Sequence, residues 1–190
     1  YSTATIGGSG YFDGSGDYLQ SSGRGGFATN STFTVEFWTY PLSSISSVCW
    51  INSSDNNKFY IETSGGTVYV GDGSINTIST SAPPLNQWTH VALSFNGTTY
   101  RLYYNGVQQA SSTNVMNGNS FTGFNVGAKY DGTRPFNGYI NDVRILVGTN
   151  LYPSGTTFTP PTSPLTAITN TALLLNMTNA GIFDSAMRND

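Results

Sequence analysis

Apolar and polar residues alternate along most of this chain with a period of two, which is the spacing of strands that bury one face. In Phe33-Thr34-Val35-Glu36-Phe37-Trp38, the residues Phe33, Val35 and Phe37 share a face. In Trp88 to Phe95, the shared face carries Val91, Leu93 and Phe95. Lys58 to Thr63 and Thr67 to Val70 flank Ser64-Gly65-Gly66, which predicts a hairpin. Asn96-Gly97 and Asn105-Gly106 predict two more, leading into Thr99 to Tyr104 and Val107 to Ala110. Phe121 to Ala128 and Phe136 to Val147 read as further strands; in the second, strict alternation sends Ile140 to the face opposite Val143 and Ile145. Stripes of helical period are nearly absent, and the one exception, Asn179 to Met187, is too short to predict a helix. Many short strands between regular turn signals predict an all-β fold of two packed antiparallel sheets, not a parallel α/β sheet.

The pattern breaks between Pro153 and Pro164. Tyr152-Pro153-Ser154-Gly155-Thr156-Thr157-Phe158-Thr159-Pro160-Pro161 does not alternate, and its prolines cannot donate to a ladder. This stretch is expected to be an extended strap over the sandwich, pinned by Phe158. Thr171 to Met177 resumes as a strand around Leu173-Leu174-Leu175 and is expected to return near the N-terminal strand. The expected organisation is therefore a sandwich core over 1–147, a strap over 148–170, and a returning strand and tail over 171–190 of the same domain.

Composition sharpens the picture. Charged residues are 9% of the 190, against roughly 25% in ordinary soluble domains. Aromatics at 14% supply the large side chains a core needs and argue against disorder. With a net charge of −3 and only seven Lys and Arg, no basic stripe tracks phosphates, so nucleic acid is not an expected partner. No stretch approaches the apolar length of a membrane span, so membrane insertion is not expected either. No signal peptide is visible, and a chain opening at Tyr1 rather than Met is expected to be a processed or trimmed product. Cys49 is the lone cysteine; it allows no internal disulfide and is expected to be a small buried hydrophobe.

Five segments, in order, resemble one family. Phe12-Asp13-Gly14 with Asp17-Tyr18-Leu19 is similar to its opening strand and turn, and Phe33 to Trp38 to its "FTIEFW" strand. Gln87-Trp88-Thr89-His90-Val91-Ala92 is similar to "QWHHVA", and Leu102-Tyr103-Tyr104-Asn105-Gly106 to "LYVNG". Phe136 to Ile145 is similar to "FNGYIDDVRI". Together they resemble the laminin-G-like, concanavalin-A-like lectin domains, which implies a two-sheet jelly-roll sandwich. The tail from Gly148 to Asn176, followed by Asn179 to Ser185, is similar to repeats in tail and appendage proteins of marine bacteriophages. That resemblance implies an extracellular or virion-surface setting.

The candidate chemistry is mostly binding chemistry. Glycosidases of this sandwich class gather carboxylates along one strand, and retaining chemistry needs two of them about 5–5.5 Å apart. Here the glutamates are Glu36 and Glu62 alone, and Glu36 is expected opposite an arginine or at a sheet edge. The sole histidine, His90, has no Ser elbow to serve, so no enzyme is expected. The family resemblance implies a possible Ca²⁺ at the rim, held by Asp13, Asp17 and Asp142, oxygen ligands suited to a hard cation; alternatively Asp13 and Asp17 simply make turns. For a sugar platform, in which a ring face packs on C–H groups, the loop candidates are Tyr130, Tyr152, Trp50 and Tyr18, with Asn56, Asn57 and Asp131 near them. The expected role is recognition of a cell-surface glycan or polysaccharide in attachment. The alternative is a structural subunit of a fibre, filament or virion decoration, joined to copies of itself or other appendage subunits through Leu173–Met177 or Gly181–Asp190.

Overall fold

The computed structural model describes residues 8–23, 26–43, 48–55, 58–153, 157–178 and 181–184; of Val48, Thr178 and residues 181–184 it describes the backbone alone. The described residues form strands, turns and irregular segments, without a helix. Fourteen strands follow one another: β1 Gly10–Asp13, β2 Leu19–Gln20, β3 Phe33–Pro41, β4 Val48–Ser53, β5 Tyr60–Ser64, β6 Thr67–Gly71, β7 Asn76–Ser81, β8 Thr89–Phe95, β9 Tyr100–Tyr104, β10 Val107–Ser112, β11 Phe124–Val126, β12 Asn137–Val147, β13 Thr171–Thr178 and β14 Gly181–Asp184. One sheet runs β10-β9-β8-β3-β12-β13-β14, with β1 also on β12, and the other runs β2-β11-β4-β5-β6-β7. This is the sandwich of two antiparallel sheets that the alternation predicts, in the jelly-roll form that the family resemblance implies.

The inner faces meet in one apolar cluster. The larger sheet contributes Phe33, Val35, Phe37, Val91, Leu93 and Phe95, and the smaller one Ile51, Ile61, Val68, Val70 and Phe124. Burial of each such side chain stabilises the fold by roughly 1.5–3 kcal/mol. Rings fill one end, with Phe27 stacked on Phe33 at 4.3 Å and Phe59 on Phe121 at 5.9 Å. Trp50 is 1% exposed and meets Phe37 edge-on in this core, so it is not a platform residue. Cys49 is also buried, and burial pushes its thiol well above the usual range.

Three expectations need correction. The strand over 121–128 shrinks to Phe124–Val126, between Gly123 and Gly127. Residues 181–184, in the stretch with the only helical hint, form β14, paired to β13. Ile140 does not oppose Val143: both lie in the core cluster. The reason is a bulge. Asn141 pairs with Trp38 and Arg144 with Glu36, so β12 carries one residue more than β3 between them, and Asp142 takes it up at φ 50°. One extra residue inverts the alternation.

The bulge also divides the far edge of β12. Residues 137–140 pair with β1 and residues 143–146 with β13. Because β13 is bonded to β12 on one side and to β14 on the other, Leu173–Met177 is not a free edge for a neighbouring subunit. Gly181–Asp184 pairs with β13 on one side and ends the sheet, and the remainder of the expected pairing tail, residues 185–190, lies outside the described residues.

Residues 148–153 and 157–170 form no strand and cross the outer face of the larger sheet. Thr34 Oγ1 donates to the Thr149 carbonyl at 2.9 Å, Ser94 Oγ to the Tyr152 carbonyl at 2.9 Å, and Arg144 Nη1 to the Thr166 carbonyl at 3.0 Å. The Phe158 N–H donates to the Gly106 carbonyl at 3.0 Å.

Candidate functional site

The outer face of the larger sheet is built in rows, because antiparallel register sets outward residues of neighbouring strands side by side. On β3 the outward positions are Thr34, Glu36, Trp38 and Tyr40, opposite to the core residues Phe33, Val35 and Phe37. The crossing segment covers the first of these rows and leaves the last one bare.

The covered rows hold a buried polar network. Glu36 is fully buried opposite Arg144. Its Oε1 accepts from Arg144 Nε at 2.9 Å and Nη2 at 2.6 Å, and its Oε2 from the Tyr152 hydroxyl at 2.8 Å. His90 Nε2 lies 3.1 Å from the same Oε2. Burial pushes the Glu36 carboxyl up, but the His90 hydrogen bond and charge, Arg144 and the Tyr152 hydroxyl outweigh it, leaving the group below its ordinary value. Tyr152 stacks on Phe158 at 3.8 Å, and Phe158 meets His90 edge-on at 5.9 Å. Glu36 is thus a fastener for the crossing segment. Glu62, the other glutamate, alternates with the core residue Ile61 on β5 and pairs with Arg134 on the outside of the smaller sheet. The two glutamates therefore stand on opposite outer faces, with the core between them.

The bare row is aromatic. Tyr139 pairs with Tyr40 across β12 and β3, Tyr11 pairs with Tyr139 across β1 and β12, and Trp88 continues the row just before β8. Ring centroids are 5.0 Å apart for Tyr11 and Tyr139, 6.0 Å for Tyr139 and Tyr40, 5.6 Å for Tyr40 and Trp88 and 6.4 Å for Trp88 and Tyr139, so the last three rings close into a cluster with Tyr11 beside it. Ser9, Tyr40, Leu42, Trp88 and Tyr139 line a cleft of about 380 Å³. Tyr11 is 54% exposed and Leu42 37%. No lining residue carries a formal charge. The phenol hydroxyls of Tyr11, Tyr40 and Tyr139 have no hydrogen-bond partner among the described residues.

The loop residues expected to form a platform do not gather. The Tyr130 N–H donates to Asn52 Oδ1 on the smaller sheet at 2.8 Å, and Lys129 Nζ lies 5.0 Å from the Tyr130 ring. Asp131 accepts from Thr133 and pairs with Lys129 at 3.5 Å. Tyr152 lies in the segment that crosses the outer face of the larger sheet, in the Glu36 network. Tyr18 is an exposed rim residue, and Asn56 and Asn57 lie outside the described residues. The missed signal was a large ring at Tyr40 and Tyr139 on the strand face that alternation assigns to polar residues, with Trp88 immediately before β8.

The three aspartates do not converge either. Asp13 Oδ1 accepts from the Ser15 N–H at 2.6 Å and Asp17 Oδ2 from the Asp13 N–H at 3.2 Å, in one exposed turn. Asp142 is buried in the β12 bulge, where Oδ1 accepts from Asn176 Nδ2 at 2.9 Å. Among the described residues no three His, Cys, Asp or Glu side chains cluster as metal ligands.

Two antiparallel sheets packed face to face around one core define a jelly-roll sandwich. The chain belongs to the concanavalin A-like lectin/glucanases superfamily, whose model matches residues 13–149. No curated protein matches it significantly. Among solved structures it is similar to a candidate carbohydrate-binding protein from Bacteroides ovatus, with 20% identity, a TM-score of 0.67, and coverage of 95% of this chain but 56% of that one. It is also similar to domain 4 of an extracellular arabinanase from Geobacillus stearothermophilus, solved with arabinotriose, with 24% identity, a TM-score of 0.53, and coverage of 76% and 77% of the two chains. A third is the LG4-5 pair of the mouse laminin α1 chain, with 14% identity, a TM-score of 0.56, and coverage of 86% and 48%. These likenesses establish the fold. The chain spans little more than half the length of the Bacteroides protein.

Proposed function

We propose that this chain is a non-catalytic carbohydrate-binding module that attaches its carrier to a surface glycan, outside the cell or on a virion appendage. The observation that carries this reading is the aromatic group on the larger sheet that the crossing segment leaves uncovered, with phenol hydroxyls that have no partner among the described residues and a cleft whose described lining is uncharged. Sugar C–H faces pack on such rings while hydroxyls bond to the phenols. Two of the similar structures, one a candidate carbohydrate-binding protein and one a domain solved with arabinotriose, support the same class of ligand. The virion setting rests on the resemblance read from the C-terminal sequence and is part of the proposal. A rim calcium would fall to Asp13 and Asp17 without Asp142, and binding compared with and without chelator reads it.

The test is retention of the protein in gels containing plant, algal or bacterial polysaccharides, alongside an assay for new reducing ends. Retention by at least one polymer without cleavage is expected, and Trp88→Ala should abolish it. Cleavage that Glu36→Gln removes would overturn the non-catalytic part, and retention unaffected by Trp88→Ala would overturn the site.

A further inference from the structure

We infer that the aromatic group receives a single uncharged sugar unit at the non-reducing end of a chain or the tip of a side branch, and not an inner stretch of polymer. This rests on the carbohydrate reading of the same site.

Three features select a terminal unit. The first is outline. Trp88, Tyr40 and Tyr139 close as a triangle with sides of 5.6, 6.0 and 6.4 Å, a floor for one sugar ring and not for a run of them. Their planes are inclined to one another by 58°, 78° and 50°, so the three do not lie flat beneath an extended chain. One ring stacks on a sugar face while the others stand against its edges. Because the rings also pack on one another, the cup is formed before a ligand arrives, which lowers the cost of binding.

The second feature is enclosure. The next outward row, His90, Trp38 and Asn141, is set by register across β8, β3 and β12. All three residues are buried, and Phe158 of the crossing segment stands edge-on to His90. The floor also stops beyond Trp88, because β9 ends at Tyr104, opposite Val91. On the other side β3 ends at Pro41, one residue past Tyr40, and β12 begins at Asn137, two before Tyr139. The triangle therefore lies at the end of the sheet, shut toward the crossing segment and open toward the exposed Leu42. A chain enters such a site by its tip. The third feature is the absence of charge from the lining. An acidic unit needs Lys or Arg against its carboxylate or sulfate, whereas sugar hydroxyls suit Ser9 and the phenols, which both donate and accept.

Calorimetric titration tests this with methyl glycosides of glucose, galactose, mannose, xylose, arabinose, fucose, rhamnose and glucuronic acid. Di- to hexasaccharides carrying the preferred unit at the non-reducing end complete the series. The best neutral methyl glycoside should bind within about threefold of its hexasaccharide, equally at low and high salt. Trimming the terminal unit with an exo-glycosidase should abolish binding. Tyr139→Ala should weaken monosaccharide and hexasaccharide alike by about tenfold or more, a loss of about 1.4 kcal/mol. Tyr139→Phe, which keeps the ring and with it the thermal unfolding, should weaken both by about threefold. Tyr11→Ala, exposed beside the triangle, should change either by less than about twofold. Affinity that climbs with every added unit, binding that survives trimming, or a Tyr11→Ala loss that grows with length would mean that an inner stretch is held. Each overturns the inference and leaves the carbohydrate reading standing, as does tighter, salt-sensitive binding of the glucuronic acid glycoside. If no carbohydrate binds, both readings fall, and a change in sedimentation on Trp88→Ala then assigns the rings to a protein interface.

Discussion

Asp142 shows how one residue records its surroundings. It sits in the β12 bulge, 1% exposed, with Oδ1 bonded to Asn176 and Oδ2 without a partner among the described residues. Burial pushes its carboxyl up to about 6, against the opposing hydrogen bonds of Asn176 and the Leu165 backbone; Glu36 adds to the rise and His90 opposes it. A folded value above the unfolded one of about 3.9 means that the native state holds the proton more tightly. Stability is then fully present below about pH 4, falls as pH rises through about 6, and is level above that. Asp142→Asn keeps an acceptor for Asn176, tolerates the positive φ, and never ionises. The variant should match the natural protein near pH 4 and exceed it by roughly 2 kcal/mol near pH 8, measured by urea unfolding at both pH values. An unchanged difference across that range would contradict this account. The residue types at this site are legible in the sequence, but the bulge that buries Asp142 is not, because alternation carries no mark of one extra residue.

Among the elements, the segment after β12 decides what the larger sheet presents. It is held by backbone bonds to Thr34, Ser94, Arg144 and Gly106 and by the Tyr152–Phe158 stack. Gly106 has φ 78° in the β9–β10 turn, and a Cβ there would overlap the Phe158 carbonyl. Gly106→Ala should therefore cost roughly 2–4 kcal/mol, strain and displaced segment together. Gly97→Ala is the comparison: φ is 96°, but its Cβ would meet nothing nearer than Thr32 Oγ1 at 3.9 Å. It should cost only the conformational part, roughly 1–2 kcal/mol. Equal losses in thermal unfolding would mean that the crossing segment contributes little. Glu36 opposite Arg144 follows the sequence expectation. The bond from Tyr152, 116 residues away, does not, since no local pattern says where an irregular segment lands.

For the whole molecule, low charge is the governing property. With 9% charged residues, the fold rests on its apolar interior and its ladders. The described ion pairs beyond Glu36 are Lys58–Asp55, Lys129–Asp131 and Arg134–Glu62, all with at least partly exposed partners. Such pairs contribute roughly 0–1 kcal/mol each and weaken in salt. The unfolding free energy should therefore change by less than about 1 kcal/mol between dilute buffer and seawater salt, which paired denaturation curves check. A larger loss would mean that electrostatics carry more of the fold than its composition suggests.

The sequence by itself determined the sandwich. Period-two alternation, Asn-Gly turns and a ring-rich interior are local signals, and burial of one face per strand leaves few other ways to satisfy them. Only the tertiary structure decided where binding surface remains. Tyr11, Tyr40, Trp88 and Tyr139 come from four distant stretches and become a row through register. They stay bare because the segment after β12 folds over the neighbouring rows and stops short of theirs. Register and coverage are relations between strands far apart in the chain, and no run of residues encodes them alone.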